Sequence, residues 1–134
     1  MTTATTTEFS MQTVSPNIYV NDIKKTIGFY ETLGFDVITT VGDPEDPVFA
    51  LLRCGEVSFM FQTFKSIEHT LPAISRTNGG SLLLYVNVKG IRGFYEKIKD
   101  KVSVLHPLDK TFYGATEFSI LDNNNYLITF AEDE

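Results

Sequence analysis

One short pattern occurs twice in this sequence, and that repeat constrains the fold more than any other feature. The first copy is Tyr19-Val20-Asn21 followed by Gly28-Phe29-Tyr30-Glu31. The second is Tyr85-Val86-Asn87 followed by Gly93-Phe94-Tyr95-Glu96, with a connection one residue shorter. Identical triplets and tetrapeptides in the same order are not expected by chance. A period of about half the chain is too long for a solenoid repeat and fits a duplicated supersecondary module.

The residues around the first copy predict a β-α-β-β-β unit. Val14 to Val20 alternates as a strand, and Asp22 is a candidate N-cap for a helix of about three turns that ends at Gly34. Further strands are predicted over 35–41, 48–53 and 57–63, separated by an acidic loop at 42–47 and a tight turn at 54–56. The first module therefore spans residues 14–63.

The second copy predicts the same order of elements. A strand at 81–88 precedes a helix at 91–99, a short strand at 102–105, a loop at 106–113 and a closing hairpin of strands 115–121 and 126–131. The second module therefore covers residues 81–131. Residues 64–80 form a linker with a helical turn near Leu71 to Ser75, and residues 1–13 form a flexible Thr-rich leader. Neither module can cover its own sheet, so residues 14–134 are expected to form one domain with a shared core.

Composition limits the partners and the compartment. The net charge of −6 over 134 residues argues against a nucleic-acid partner or an anionic membrane surface. No apolar run is long enough to span a bilayer, and the first residues do not have the pattern of a secretory signal. Cys54 is the single cysteine, which excludes an intrachain disulfide and suits the reducing cytoplasm where we expect the protein. Its place beside Gly55 in a hairpin turn indicates a structural role rather than a nucleophile.

Two longer stretches resemble a known family. VNDIKKTIGFYETLGFDV, which starts at Val20, and EFSILDNNNYLITFAE, which starts at Glu117, are similar to the vicinal oxygen chelate superfamily of glyoxalases, bleomycin-resistance proteins and extradiol dioxygenases. The resemblance extends from Val14 to Glu132. It implies an α+β fold in which two tandem β-α-β-β-β modules form a curved mixed sheet, a cup, with the helices on the outer face. The fold hosts unrelated chemistries, so it does not fix the activity.

The resemblance also indicates where a metal would lie. Metalloenzymes of the superfamily carry four His, Gln or Glu ligands on the first and last strands of the modules, and the equivalent positions here are Ser15, Met60, Ser81 and Thr129. A shift of two residues along each strand keeps the same face. It offers Asn17, Leu83, Ser58 or Gln62, and Leu127 or Ala131. Neither set suits a divalent cation. His69 in the linker and His106 in a loop are interpreted as surface residues, so we expect no metal and no other cofactor.

Strand alternation separates the core from the concave face of the cup. The residues predicted under the helices are Ile18, Val20, Phe59, Phe61, Leu82, Leu84, Val86, Phe118, Ile120, Ile128 and Phe130. The concave face then carries Asn17, Tyr19, Ser58, Met60, Gln62, Leu83, Tyr85, Glu117, Ser119 and Thr129, with Leu51 and Arg53 alongside. Such a mixture of aromatic, amide and hydroxyl groups fits a ligand pocket. The alternative is that these side chains fill the cup or face a second subunit.

From this face and its rim we predict nine ligand-binding residues: Asn17, Tyr19, Arg53, Met60, Gln62, Tyr85, Phe112, Tyr113 and Glu117. Tyr19 and Tyr85 occupy equivalent positions and are expected to clamp an aromatic ligand, while Phe112 and Tyr113 form a lid. Arg53 and Glu117 are a candidate ion pair. Glu117 is also the candidate general base, because a half-apolar cup can raise the pKa of a carboxyl group. A structural hydrogen bond or ion pair is the alternative role.

Three functions are compatible with these features, and catalysis is left open. The leading hypothesis is a metal-independent protein that binds an aromatic or amphipathic small molecule, neutral or cationic, as in the bleomycin-resistance branch. The second is a metal-dependent lyase, isomerase or dioxygenase, against which the missing ligands count. The third is an interaction module without a ligand. A homodimer is expected, since isologous pairing is common and would cover Phe64, Leu71 and Ile74.

Overall fold

The computed structural model describes residues 9–68 and 75–133. Within these ranges, module one consists of strand β1 (Asn17–Val20), helix α1 (Ile23–Thr32) and strands β2 (Asp36–Asp43), β3 (Asp46–Cys54) and β4 (Val57–Thr63). A short 3-10 helix, Lys65–Ile67, follows. Module two consists of strand β5 (Leu83–Asn87), helix α2 (Ile91–Ile98) and strands β6 (Ser103–Lys110), β7 (Ala115–Leu121) and β8 (Leu127–Asp133).

Each module forms a four-stranded mixed sheet. The strand orders are β1-β4-β3-β2 and β5-β8-β7-β6, with the first strand of each module parallel to the last and the other pairs antiparallel. Helix α1 packs mainly on β3, and α2 packs on β7 and β8. The predicted α+β architecture of two tandem β-α-β-β-β modules is confirmed.

The two helices are capped in different ways. The Asp22 side chain accepts a hydrogen bond from the Lys25 backbone N–H at 3.0 Å, as expected of an N-cap. Helix α2 follows Gly90, which has a φ of 75° and no side chain that could cap the helix. Instead, the Glu132 carboxylate accepts from the backbone N–H groups of Gly90 and Ile91 at 3.1 and 3.0 Å. A residue of β8 therefore caps the helix that packs on its own sheet.

The two modules share one apolar core. Tyr30 and Phe61 from module one and Phe118 and Ile128 from module two are fully buried in a single cluster. The rings of Tyr30 and Phe61 pack at a centroid distance of 4.8 Å, and those of Phe118 and Phe130 at 5.1 Å. The expectation that the helix-facing residues form a common core is confirmed, except at Leu82. That residue precedes β5 and is 45% exposed.

The turn between β7 and β8, residues 122–126, attaches module two to α1, and we call it the docking turn. The Tyr30 hydroxyl donates to Asp122 Oδ2 at 2.6 Å. Asn124 Nδ2 donates to Thr26 Oγ1 at 3.0 Å. The Tyr126 hydroxyl donates to the backbone carbonyl oxygen of Tyr19 at 2.8 Å. The modules are therefore joined by buried hydrogen bonds as well as by apolar packing.

The predicted loop at 106–113 is wrong, because strand β6 extends from Ser103 to Lys110. His106 consequently lies in a strand. The register of β6 against β7 shifts between Val104 and His106 and again between His106 and Asp109. These irregularities interrupt the alternation from which a strand is recognised, and Pro107 lies within the second one.

Other element boundaries also differ from the predictions. The expected acidic loop at 42–47 is a two-residue turn, since Asp43 pairs with Asp46. Strand β1 begins at Asn17, and Val14 is 92% exposed. His69, Leu71, Ile74 and most of the helical turn predicted near Leu71 to Ser75 lie outside the described residues, as does much of the predicted leader. Neither α1 nor α2 combines the length and hydrophobicity of a membrane span, and no other helix of the described residues does.

Candidate functional site

Glu117 is the centre of a hydrogen-bonded group on module two. We call the face of each sheet opposite its helix the open face. On the open face of module two, the hydroxyls of Tyr85 and Tyr113 both donate to Glu117 Oε2, each at 2.6 Å. The three side chains come from β5, the β6–β7 turn and β7. Three of the nine predicted ligand-binding residues therefore form one cluster.

Alternation along β7 and β8 explains how this cluster forms. Phe118 and Ile120 are buried under α2, so Glu117 and Ser119 lie on the open face. On β8, the neighbouring strand, Ala131 pairs with Glu117, and Thr129 pairs with both Ser119 and Tyr85. Because Ala131 is small, the Tyr85 side chain can cross β8 and reach the Glu117 carboxylate. Two residues further along the same strands, Ser119 Oγ and Thr129 Oγ1 form a separate hydrogen bond of 2.8 Å.

A tight turn brings Tyr113 to the same carboxylate. The Thr111 backbone N–H donates to the Ala115 carbonyl at 2.8 Å, and the Ala115 N–H donates to Thr111 Oγ1 at 3.1 Å. Gly114 has a φ of 88°, which favours glycine at this position. Phe112 makes an edge contact with Tyr113 but is 99% exposed. Of the two residues predicted to form a lid, only Tyr113 reaches the open face.

The two tyrosines are neutral hydrogen-bond donors. The hydrogen bond to Glu117 raises the pKa of Tyr85 to about 12, and the same cause raises the pKa of Tyr113. Both phenols therefore keep their protons at neutral pH. They share Oε2, which accepts both bonds. Oε1 takes part in neither of them and can accept a hydrogen bond from a ligand.

A polar cavity of about 250 Å³ lies beside Glu117. Its lining residues are His106, Pro107, Asp109, Lys110, Thr111, Glu117, Phe118 and Ser119. His106 pairs with Ser119, and Asp109 pairs with Glu117. The sequence interpretation missed His106 and Asp109 because it placed them in a loop. The repeat could have found them, since β2, the equivalent strand of module one, also has eight residues.

The open face of module one carries a separate amide cluster. Asn17 Nδ2 donates to Gln62 Oε1 at 3.1 Å and approaches the Tyr19 hydroxyl at 3.5 Å. Gln62 Nε2 donates to Ser66 Oγ at 2.9 Å, which fixes the amide that Asn17 contacts. Asn17 Oδ1 is buried and has no hydrogen-bond partner among the described residues. A buried acceptor of this kind fits a hydrogen-bond donor on a ligand.

The remaining predicted site residues have other surroundings. Met60 pairs with Asn17 in the register of β4 and β1 and is half-buried on the open face. Arg53 donates from Nε to Ser58 Oγ at 3.3 Å, and among the described residues it forms no ion pair with Glu117. Tyr19 packs its ring against Phe64, at a centroid distance of 6.4 Å, whereas Tyr85 binds Glu117. The two tyrosines expected to form a clamp thus have different partners.

A sequence profile described as the Glyoxalase/Bleomycin resistance protein/Dioxygenase superfamily matches residues 11–130. The chain belongs to this superfamily. Bleomycin resistance proteins of Geobacillus stearothermophilus and Staphylococcus aureus are 30% identical to it over 127 residues, which cover 86% of this chain and 92% of each relative. The resemblance inferred from the two repeated modules is confirmed at the level of the superfamily.

Solved structures of similar length share the fold of this chain. A protein of unknown function from Agrobacterium tumefaciens has a TM-score of 0.75 at 25% identity, with 94% of this chain and 97% of that chain covered. A bleomycin resistance determinant encoded on the transposon Tn5 has a TM-score of 0.66 at 19% identity, with 92% and 99% covered. Both similarities extend over nearly the whole chain.

The positions that the sequence resemblance assigned to a metal carry unsuitable donors in this chain. Thr129 Oγ1 is engaged with Ser119, and Met60 offers a half-buried thioether. Ser15 and Ser81 are exposed hydroxyl residues. Hydroxyl and thioether groups do not make the imidazole and carboxylate set that divalent metals require. Across residues 9–68 and 75–133, no three His, Cys, Asp or Glu side chains converge as a metal site. The residues at these four positions are therefore not suitable ligands for a divalent metal ion.

Proposed function

We propose that the protein binds a cationic, aromatic-bearing small molecule on its open faces and does so without a metal. The observation that carries the proposal is the Glu117 carboxylate, which is held by two phenols through Oε2 while Oε1 is left for a ligand. An ammonium or amidine group can donate to Oε1 and lie against the rings of Tyr85 and Tyr113. The function is sequestration of the ligand.

The charge of the site supports a cation. The pKa values of Tyr85 and Tyr113 are raised, so the phenols add no negative charge at neutral pH, and Glu117 is the group that attracts the ligand. The chain as a whole has a net charge of −6, which adds a weak long-range attraction for cations. Asp109 and Lys110 both line the cavity beside Glu117 and offset each other in charge, so Glu117 sets the negative charge of the lining.

Module one supplies a complementary polar surface. Asn17 Oδ1, buried and unpartnered among the described residues, would accept a ligand N–H group. Tyr19 and Phe64 provide an aromatic wall beside it. Leu82 and Leu83 are 45% and 46% exposed in the single chain, and a second protomer would cover them. We therefore include a homodimer in the proposal.

The similarity to known proteins supports a small-molecule ligand. Relatives that are 30% identical over most of their length are bleomycin resistance proteins, so a drug-like small molecule is a suitable class of ligand for this chain. The unsuitable donors at the metal positions favour binding over the metal-dependent lyase, isomerase or dioxygenase alternative.

The proposal is tested by titrating the purified protein with cationic aromatic compounds and with their uncharged isosteres in a calorimeter. Saturable binding should be seen with the cations, and it should weaken about tenfold or more in the Glu117→Gln variant, because a charge-assisted hydrogen bond is lost. Glu31→Gln, on the exposed side of α1, is the matched control and should bind as the unmodified chain does. Equal affinity for cations and isosteres, or full affinity in Glu117→Gln, would contradict the proposal.

A further inference from the structure

The two turns at the module boundary are not equivalent, although the modules are copies. The docking turn between β7 and β8 comprises residues 122–126. The corresponding turn between β3 and β4 comprises only Gly55 and Glu56. The connection between the strands is therefore three residues longer in module two, where it reaches across to the neighbouring module.

The strand registers show which residues correspond. Tyr19 and Tyr85 are equivalent and pair with Gln62 and Thr129, so Gln62 corresponds to Thr129 and Phe59 to Tyr126. Leu52 pairs with Phe59, and the Asp122 N–H donates to the Tyr126 carbonyl at 2.9 Å, so Leu52 corresponds to Asp122. In module one the ladder continues past this pair to Cys54 and Val57, which also pair. Two apolar side chains thus occupy the positions of a carboxylate and a phenol.

A space beside α2 is left open in module one. In module two, Asp122 and Asn124 hydrogen-bond to α1. In module one, Cys54 and Val57 line a cavity of about 260 Å³ that lies between the β3–β4 turn and α2. Its walls include Leu33, Phe35 and Cys54 from module one and Val88, Phe94 and Phe130 from module two. Asn87 and Lys89 are its polar lining residues.

We propose that this cavity is a second binding site, which takes a compact apolar aromatic molecule of one or two rings. Apolar cavities of about 150 Å³ lined by aliphatic and aromatic residues hold benzene, so this space accommodates two fused rings. Phe35, Phe94 and Phe130 offer ring faces and edges for contact. Apart from Asn87 and Lys89 the walls are apolar, so an uncharged compound is the suitable ligand.

The second site differs from the open-face site in position and chemistry. It lies between the modules, next to α2 and the residues packed under it, whereas Glu117, Tyr85 and Tyr113 lie on the opposite side of the second sheet. The ligand proposed for Glu117 is cationic, and the ligand proposed here is not. A substitution at one site should therefore abolish binding there without affecting binding at the other.

Indole is the probe for this site, because it is neutral and has two fused rings. Titration of the whole chain should show saturable binding with one indole per protein. Cys54 is the single cysteine, so its modification by iodoacetamide reports on the cavity wall alone. Saturating indole should slow that modification about fivefold or more by covering the thiol. Binding without saturation, or an unchanged rate of modification, would overturn the proposal.

Filling the cavity provides the second test. Val88→Phe should weaken indole binding about tenfold or more, and Cys54→Met, a smaller increase in volume, should weaken it in the same direction. Val41→Phe is the matched control on the 54% exposed Val41 of β2 and should leave binding unchanged. Glu117→Gln should also leave indole binding unchanged, which separates this site from the open-face proposal. Full indole affinity in folded Val88→Phe or Cys54→Met would place the ligand elsewhere and overturn the inference.

Discussion

The Tyr30 hydroxyl and Asp122 Oδ2 lie 2.6 Å apart across the module boundary and form a buried hydrogen bond between residues 92 positions apart. Asp122 Oδ1 also accepts from the backbone N–H groups of Asn124 and Tyr126 at 2.7 and 2.9 Å. One carboxylate therefore shapes the docking turn and attaches it to α1. The stability of the two-module unit should depend on it.

Replacement of Tyr30 by Phe should destabilise the protein. The ring and its packing are kept, but Asp122 loses the donor on a buried oxygen, which costs about 1–3 kcal/mol. Urea denaturation measures the change. Tyr95→Phe is the matched control, since Tyr95 occupies the same position in the second copy and is only half-buried. A change for Tyr30→Phe no larger than that for Tyr95→Phe would contradict the prediction.

Asp122 should make stability decrease with rising pH. Burial raises the pKa of its carboxyl group above the ordinary value, despite the hydrogen bonds that act in the other direction. The protonated form of Asp122 is therefore more favoured in the folded chain than in the unfolded chain. Its contribution to the free energy of unfolding is fully present below the unfolded pKa and is lost as pH rises through the folded pKa.

The experiment compares urea denaturation of the unmodified chain and of Asp122→Asn from about pH 3 to pH 7, a range that includes ordinary carboxyl pKa values. The difference in stability between the two should shift in favour of the variant as the pH rises. A constant difference, or one that shifts the other way, would show that burial does not dominate at Asp122.

Glu132 should make stability increase with rising pH, which is the opposite of the effect of Asp122. The backbone N–H groups of Ile91 and Gly90 lower the pKa of its carboxyl group, so its contribution is present above the unfolded pKa and is lost as pH falls through the folded pKa. Glu132→Ala should lower the Tm at neutral pH and speed amide exchange at Ile91, whose donor loses its acceptor. The Tm difference should narrow in acid. Glu56→Ala, on an exposed turn, is the control, and a Tm difference independent of pH would refute the capping role.

The tyrosine titration should depend on Glu117. The pKa of Tyr85 is about 12 because its hydroxyl donates to the Glu117 carboxylate, and the pKa of Tyr113 is raised for the same reason. In Glu117→Gln both values should move back toward the ordinary phenol value of about 10. NMR of labelled tyrosine rings against pH measures them individually. Unchanged values in the variant would mean that the hydrogen bonds are absent in solution.

The fold was predictable because its determinants are local and because one sequence pattern occurs twice. The Asp22 cap, the Gly34 stop and the alternation of Phe59 and Phe61 each act over a few residues, and the repeated YVN and GFYE segments indicated a strand and a helix in each module. Strand β6 was missed because its two register shifts remove the alternation. Where backbone geometry departs from a regular period, the period cannot be read from the sequence.

The site was predictable only as far as the faces of the strands. Alternation placed Tyr85 and Glu117 on the same face, and the structure brings them together. It did not determine that Tyr113 turns toward Glu117 while Phe112 is exposed, because that choice depends on the turn closed by Thr111 and Ala115. Alternation also did not show that Arg53 contacts Ser58 rather than Glu117, because residues on one face of a sheet are not necessarily neighbours.

The docking turn has a consequence for the order in which the chain can fold. Its hydrogen bonds to Thr26, Tyr30 and Tyr19 join residues 98, 92 and 107 positions apart. Contacts of such long range form only after a large loop has closed, which slows folding. During synthesis, α1 would leave the ribosome long before the turn that docks on it. Thr26 and Tyr30 of the first module therefore lack these hydrogen-bond partners until the β7–β8 hairpin has been synthesised.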